Sequence, residues 1–122
     1  MIEEYFEILK KIEELEENWD GYGAVSPDAE VIRNTYIFLP TLLSNCYLEK
    51  KCLRGSLYPT PYGSICFDLE DDNTLLSIEI GNENVGWFSE KDDEYLESNN
   101  GIKTDFSTLP EELEKTLKSL YM

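Results

Sequence analysis

An α+β domain is the fold this sequence predicts: two N-terminal helices, an antiparallel meander of three to four strands, and a C-terminal helix, in the order α-α-β-β-β-(β)-α. Three observations carry that reading. Apolar residues recur at helical spacing over residues 2–43. The period then changes to two between residues 64 and 89, interrupted by short Asp, Asn and Gly turns. Helical spacing returns after Pro110. A length of 122 residues suits a single domain, 1–122, with one hydrophobic core.

The first helix is predicted over Ile2–Glu17. Ile2, Tyr5, Phe6, Leu9, Ile12 and Leu15 form one apolar stripe. Charged residues fill most other positions, and Glu7 with Lys11 makes an i, i+4 pair in the favourable orientation. The stripe covers barely two heptads, so it is expected to pack within the chain rather than in a coiled coil. Asn18-Trp19-Asp20-Gly21-Tyr22-Gly23-Ala24 then breaks the pattern, because its glycines permit a sharp reversal. Trp19 follows Leu15 by one helical turn, which predicts a tryptophan packed on the core face. The next helix starts at Ser26-Pro27-Asp28, with Ser26 as N-cap and Pro27 at the first helical position. Val31, Ile32, Phe38, Leu39, Leu42 and Leu43 supply its apolar face. Pro40 either kinks it on the way to Leu43 or stops it near Phe38.

From Asn45 to Gly55 the pattern is weak, and Lys50, Lys51 and Arg54 form a small basic cluster. Tyr58-Pro59-Thr60-Pro61-Tyr62-Gly63 reads as an extended stretch followed by a turn. Ile65, Phe67 and Leu69 alternate with polar neighbours as one half-buried strand, and Leu76, Ile78 and Ile80 as a second. Asp71-Asp72-Asn73 turns between them. Gly81 to Asn84 turns into a third strand, Val85–Ser89. An acidic stretch, Glu90–Glu97, and a short fourth strand over Ile102–Phe106 follow. The last helix is capped by Ser107 or Thr108 and buries Leu109, Leu113, Leu117 and Leu120. One sheet face is expected under the helices, the other solvated or covered by a partner.

Charge narrows the function. Against 26 acidic residues stand 10 basic ones, a net charge of −16. Such an excess repels phosphate, so direct nucleic-acid binding is not expected, whereas a basic protein is a natural partner. No apolar run reaches the roughly 20 residues that span a bilayer, so no membrane role is expected. Met1-Ile2-Glu3-Glu4 is acidic where a signal peptide is basic. Cys46, Cys52 and Cys66 are odd in number and lack C-x-x-C spacing, which predicts reduced thiols in a cytoplasmic protein. A Cys46–Cys52 bridge is the alternative.

Chemistry has little to work with. The chain has no histidine, which removes the commonest general base and metal ligand. It has no phosphate-cradling G-x-x-x-x-G-K-[ST] loop, and no cofactor is expected. Asp68, Glu70, Asp72 and Glu79 fall at calcium-loop spacing, but Asn73 stands where that loop needs glycine, and the flanks read as strands. An acidic hairpin turn is the simpler account. Crowding of Asp68, Glu70, Asp71 and Asp72, and of Glu90, Asp92, Asp93 and Glu94, is expected to raise their pKa values by mutual repulsion, so that mild acid stabilises the fold. Asp20 and Asp28 near Trp19 and Tyr22 could form a small polar pocket. The most distinctive segment remains Trp19, Asp20, Gly21, Tyr22 and Gly23, the candidate interaction motif, in which Tyr22 is offered to a partner or the turn serves packing alone.

N-W-D-G-Y-G-A, then P-T-P-Y-G-S-I-C-F-D-L from Pro59 and L-S-I-E-I from Leu76, resembles a group of small acidic bacterial proteins. Those carry W-D-G-Y-x-A, then P-T-P-x-G-G-I-x-L-E-W, then an L-x-I-E-I strand. The resemblance runs from Asn18 to Phe88, with Ser64 and Asp68-Leu69 replacing Gly and Glu-Trp. Such proteins are often encoded near toxin, defence or mobile-element genes, and the resemblance implies an antitoxin-like or accessory neutralising protein. The composition leaves two other classes open: a small carboxylate-based or metal-dependent enzyme, and a nucleic-acid mimic with acids in rows.

Overall fold

The structure is a computed structural model, and it describes residues 2–45, 47–48, 53–92 and 94–121. The expected α+β layout is present, with two N-terminal helices, an antiparallel meander and a closing helix. Helices α1 (Ile2–Glu13) and α2 (Ala29–Leu43) precede β1 (Arg54–Pro59), β2 (Ile65–Glu70), β3 (Thr74–Ile80), β4 (Asn84–Lys91) and β5 (Glu94–Lys103); α3 (Glu111–Tyr121) ends the chain. The strands lie side by side in sequence order, each antiparallel to the next.

The alternation of β2 to β4 places Phe67, Ile78 and Trp87 in one cross-strand row, and Ile65, Ile80 and Val85 in another. All six are buried on the face that carries the helices. Helix α1 packs on α2 and β1, α2 on β2 and β3, and α3 on β4. The α1 stripe therefore finds its partner inside the chain. Trp87 closes the α3 side: its indole N–H donates to Thr116 Oγ1 at 3.1 Å. On the α1 side the Tyr5 ring stands edge-on to Phe67 at 5.0 Å, directly over Gly55. No helix among the described residues is long and apolar enough to cross a membrane.

Several boundaries differ from the sequence expectations. Helix α1 stops at Glu13 rather than Glu17. Glu14, Glu16 and Glu17 would crowd negative charge at the negative end of the helix dipole, and Asn18 adopts φ 63, which is not helical. Helix α2 is capped by Asp28, not Ser26: Asp28 Oδ1 accepts the Val31 N–H at 3.0 Å, so Pro27 precedes the helix. Pro40 is carried inside α2, which runs on to Leu43. Strand β1 begins at the end of the weak stretch and runs only to Pro59 of the extended one, and β5 begins within the acidic segment, so the sheet has five strands rather than three to four. The expected Ile102–Phe106 strand ends at Lys103, and Phe106 turns with φ 68 to bury its ring against Phe38. Cys46, Cys52, Lys50 and Lys51 lie outside the described residues, and with them the Cys46–Cys52 bridge and most of the basic cluster.

Candidate functional site

The two distinctive motifs are far apart in sequence and joined in space. Val25 forms a parallel bridge with Tyr62, and its N–H donates to Pro61 O at 2.8 Å. This seam fastens the Asn18–Ala24 turn to the Thr60–Gly63 turn.

Each turn is held by its own polar groups. Asp20 Oδ1 accepts the N–H groups of Tyr22 (2.8 Å) and Ala24 (3.1 Å). Asn18 Oδ1 accepts the Gly23 N–H at 2.6 Å, and the Asn18 N–H reaches Ala24 O at 2.7 Å. Gly21 and Gly23 have φ of 79° and 87°, a region that side chains with a Cβ rarely enter. Trp19 is half-buried, and its indole N–H donates to Val25 O at 3.3 Å. The expectation of a core tryptophan needs correction. With α1 ending at Glu13, Leu15 and Trp19 do not share a helix face; Leu15 packs on the core, while Trp19 braces the seam. Asp28 does not join Asp20 in a pocket, because it is spent on the α2 cap and on Asn82 Nδ2 at 2.9 Å.

With the backbone so fixed, two rings are left out in solvent. Tyr22 is 92% exposed and Tyr62 86% exposed. Val25 between the turns is exposed as well. The seam thus displays three apolar groups in a protein of strongly negative charge.

The second turn leads onto the open face of the sheet. The Tyr62 N–H donates to Thr60 Oγ1 at 3.3 Å. Thr60 Oγ1 and Ser64 Oγ lie 2.6 Å apart, and Ser64 Oγ donates to Glu79 Oε2. The Ser64 proton is committed to the carboxylate, so Thr60 is the donor to Ser64. Next to this relay, Asp68 accepts from the Tyr58 hydroxyl at 3.0 Å and from Ser77 Oγ at 2.6 Å. Cys66 sits between the two carboxylates on β2, directly across from Glu79. Burial and then the charge of Glu79 push its thiol up to about 11. A thiol held protonated in this way is a poor nucleophile at neutral pH. Burial also raises the Tyr58 hydroxyl.

The calcium spacing does not assemble. Asp68 and Glu79 point their oxygens at hydroxyl donors, and Asp71–Asn73 forms the expected hairpin turn, where Asp71 Oδ1 accepts from Asn73 N, Thr74 N and Thr74 Oγ1. Among the described residues no three ligating side chains converge. The expected upward shift fails at Asp71: the Asn73 N–H holds its carboxyl below the usual range. Comparisons with protein-family models, with curated proteins and with solved structures find no match for this chain. The seam is half legible in the sequence, where its first turn stands out. The partnership of Tyr62 with it, and the hydroxyl–carboxylate relay, depend on strand register, which spacing within one strand does not encode.

Proposed function

We propose that this chain is a non-enzymatic binding protein that docks a more basic protein, in the manner of an antitoxin or accessory neutralising protein of the cytoplasm. The observation that carries this reading is the seam itself. Two turns are rigidly fastened, and the rings they present are almost wholly exposed. Ordering such turns costs conformational entropy, and exposed tyrosines recover none of it within the chain. Tyrosine is among the residues that dominate interface energetics. A charge of −16 favours encounter with a basic partner. The resemblance to short acidic bacterial proteins of toxin and defence loci points the same way.

An enzymatic reading would need a carboxyl raised toward neutrality. Among the described residues the resolved carboxyl shifts, at Glu3, Asp28, Asp71 and Asp105, run downward. The test is co-purification from the native host across a salt series, with the parent chain and a Tyr22→Ala/Tyr62→Ala variant. A stoichiometric basic partner that is lost at raised salt and with the double variant supports the proposal. No partner at any salt, or a partner indifferent to both tyrosines, refutes it.

A further inference from the structure

The open face of the sheet carries a depression of about 210 Å³ whose lining includes Cys66, Ser77, Glu79, Gly86 and Phe88, with Ser98 and Asn99 on the β5 side. Its origin is readable in the register. Glu79 pairs with Gly86, and Ser77 with Phe88, so the side chain missing at Gly86 leaves a hollow between the carboxylate and the ring. Glycine inside a strand weakens it and often marks a close approach by another group. Small-molecule sites usually occupy about 300–1,000 Å³, so this hollow is of the size of one side chain rather than of a cofactor.

The lining specifies which side chain. Ser64 engages Glu79 Oε2, and Oε1 has no hydrogen bond among the described residues. No lysine or arginine among the described residues pairs with Glu79 or Asp68; the ion pairs there join Lys10 to Glu7, Arg54 to Asp72 and Lys115 to Glu111. Phe88 is 38% exposed and offers an aromatic surface beside the carboxylate. A flat cation that both stacks on a ring and hydrogen-bonds a carboxylate matches this pairing, and guanidinium does so better than ammonium. Cys66, also in the lining, has its thiol pushed up by burial first and by the charge of Glu79 second.

We infer that this hollow is an anchor pocket for one arginine side chain of the basic partner, with Glu79 binding the guanidinium and Phe88 stacking on it. The inference rests on the reading of the chain as a binder of basic proteins, but it places the anchor on the sheet face rather than at the tyrosine seam. Its test needs no partner. The full-length ¹⁵N-labelled chain is titrated with N-acetyl-arginine amide, with N-acetyl-citrulline amide as the uncharged control, and backbone amide shifts are followed. Saturable shifts at Cys66, Ser77, Glu79 and Gly86, absent with citrulline and on the order of tenfold weaker in Glu79→Gln, are expected. The side-chain amide introduced by that substitution keeps an oxygen for the Ser64 donor, so the variant should fold, and unchanged resonances elsewhere check this. Phe88→Ala should weaken binding independently. Diffuse, non-saturating shifts over the acidic surface, equal shifts with citrulline, or undiminished binding by Glu79→Gln would overturn the pocket. None of these results depends on Tyr22 or Tyr62, so the two readings can fail separately.

Discussion

Gly55→Ala tests how tightly the first helix is clamped to the first strand. A Cβ built at Gly55 would stand 2.0 Å from Tyr5 Oη and 2.8 Å from Tyr5 Cζ, far inside contact distance. The backbone there is not in the left-handed region, so the clash is the whole penalty. Relieving it means moving a ring that stands edge-on to the fully buried Phe67 at 5.0 Å. Losing an aromatic pair costs about 0.5–1.5 kcal/mol. Overpacking costs about 1–3 kcal/mol, and the stiffer unfolded chain returns about 0.4–1 kcal/mol. The net expectation is a loss of about 2 kcal/mol, a substantial part of a small domain's stability. Urea unfolding followed by tryptophan emission should show a midpoint lowered by on the order of 1 M with an unchanged slope. The decisive arm is Tyr5→Ala/Gly55→Ala. With the ring gone, adding the methyl should be neutral or slightly stabilising. An equal loss in both backgrounds, or an unaffected single variant, would show that Tyr5 does not occupy the space above Gly55.

Other expectations follow from the polar groups. Asp28, Asp71 and Asp105 have folded pKa values below their unfolded ones, held there first by the Val31 N–H, the Asn73 N–H and the Ser107 hydroxyl respectively. Their contribution is fully present above the unfolded value of about 3.9 and is lost as pH falls through the lower folded values, so thermal melts should weaken below about pH 4; a melting temperature that climbs through that window would contradict the assignment. Added salt should raise the melting temperature at neutral pH by screening a net charge of −16, and a fall would mean that attractive pairs dominate. Ser89 is fully buried, and its Oγ has no hydrogen-bond partner among the described residues, so Ser89→Ala should stabilise the fold by up to about 1 kcal/mol in urea titrations. Iodoacetamide labelling mapped to Cys66 by mass spectrometry should stay slow at pH 8 and rise only as pH nears 11, and Glu79→Gln should move that rise downward by removing a nearby negative charge; fast labelling at pH 8 would refute the buried, protonated thiol.

The order of elements was legible because amphipathic spacing survives wherever one face is buried. Leu9 and Ile12, Phe38 to Leu42, the alternating residues of β2 and β3, and Leu113 to Leu120 all obey it. Strand β1 escaped because Arg54-Gly55-Ser56-Leu57-Tyr58-Pro59 buries Leu57 alone and has glycine where a core residue would stand. The glycine is there to admit Tyr5, a tertiary reason that no local pattern reveals. The start of β5 escaped for a related cause. Glu94 and Tyr95 are exposed and paired to Lys91 and Glu90, so the strand is defined by backbone bonding to β4 rather than by burial. At the seam, the glycines and Asp20 of the first turn announced a reversal. That the same turn meets Pro61 and Tyr62 follows only from the packing of the helices over the sheet.

The two register shifts between β4 and β5 bear on how this molecule meets others. Val85 pairs with Ile102 but Trp87 with Asn99, and Ser89 pairs with Glu97 but Glu90 with Tyr95, so β5 carries one extra residue at each place. Each bulge breaks the regular ladder of donors and acceptors along the outer side of that strand. A neighbouring chain trying to continue the sheet would find its bonding partners out of phase twice within ten residues. At the opposite margin, Pro59 has no amide hydrogen to offer. The β5 margin is therefore a poor template for growth and the β1 margin lacks one donor at its end, so concentrated solutions should resist fibril formation through β5 despite a core rich in Ile, Leu and Phe.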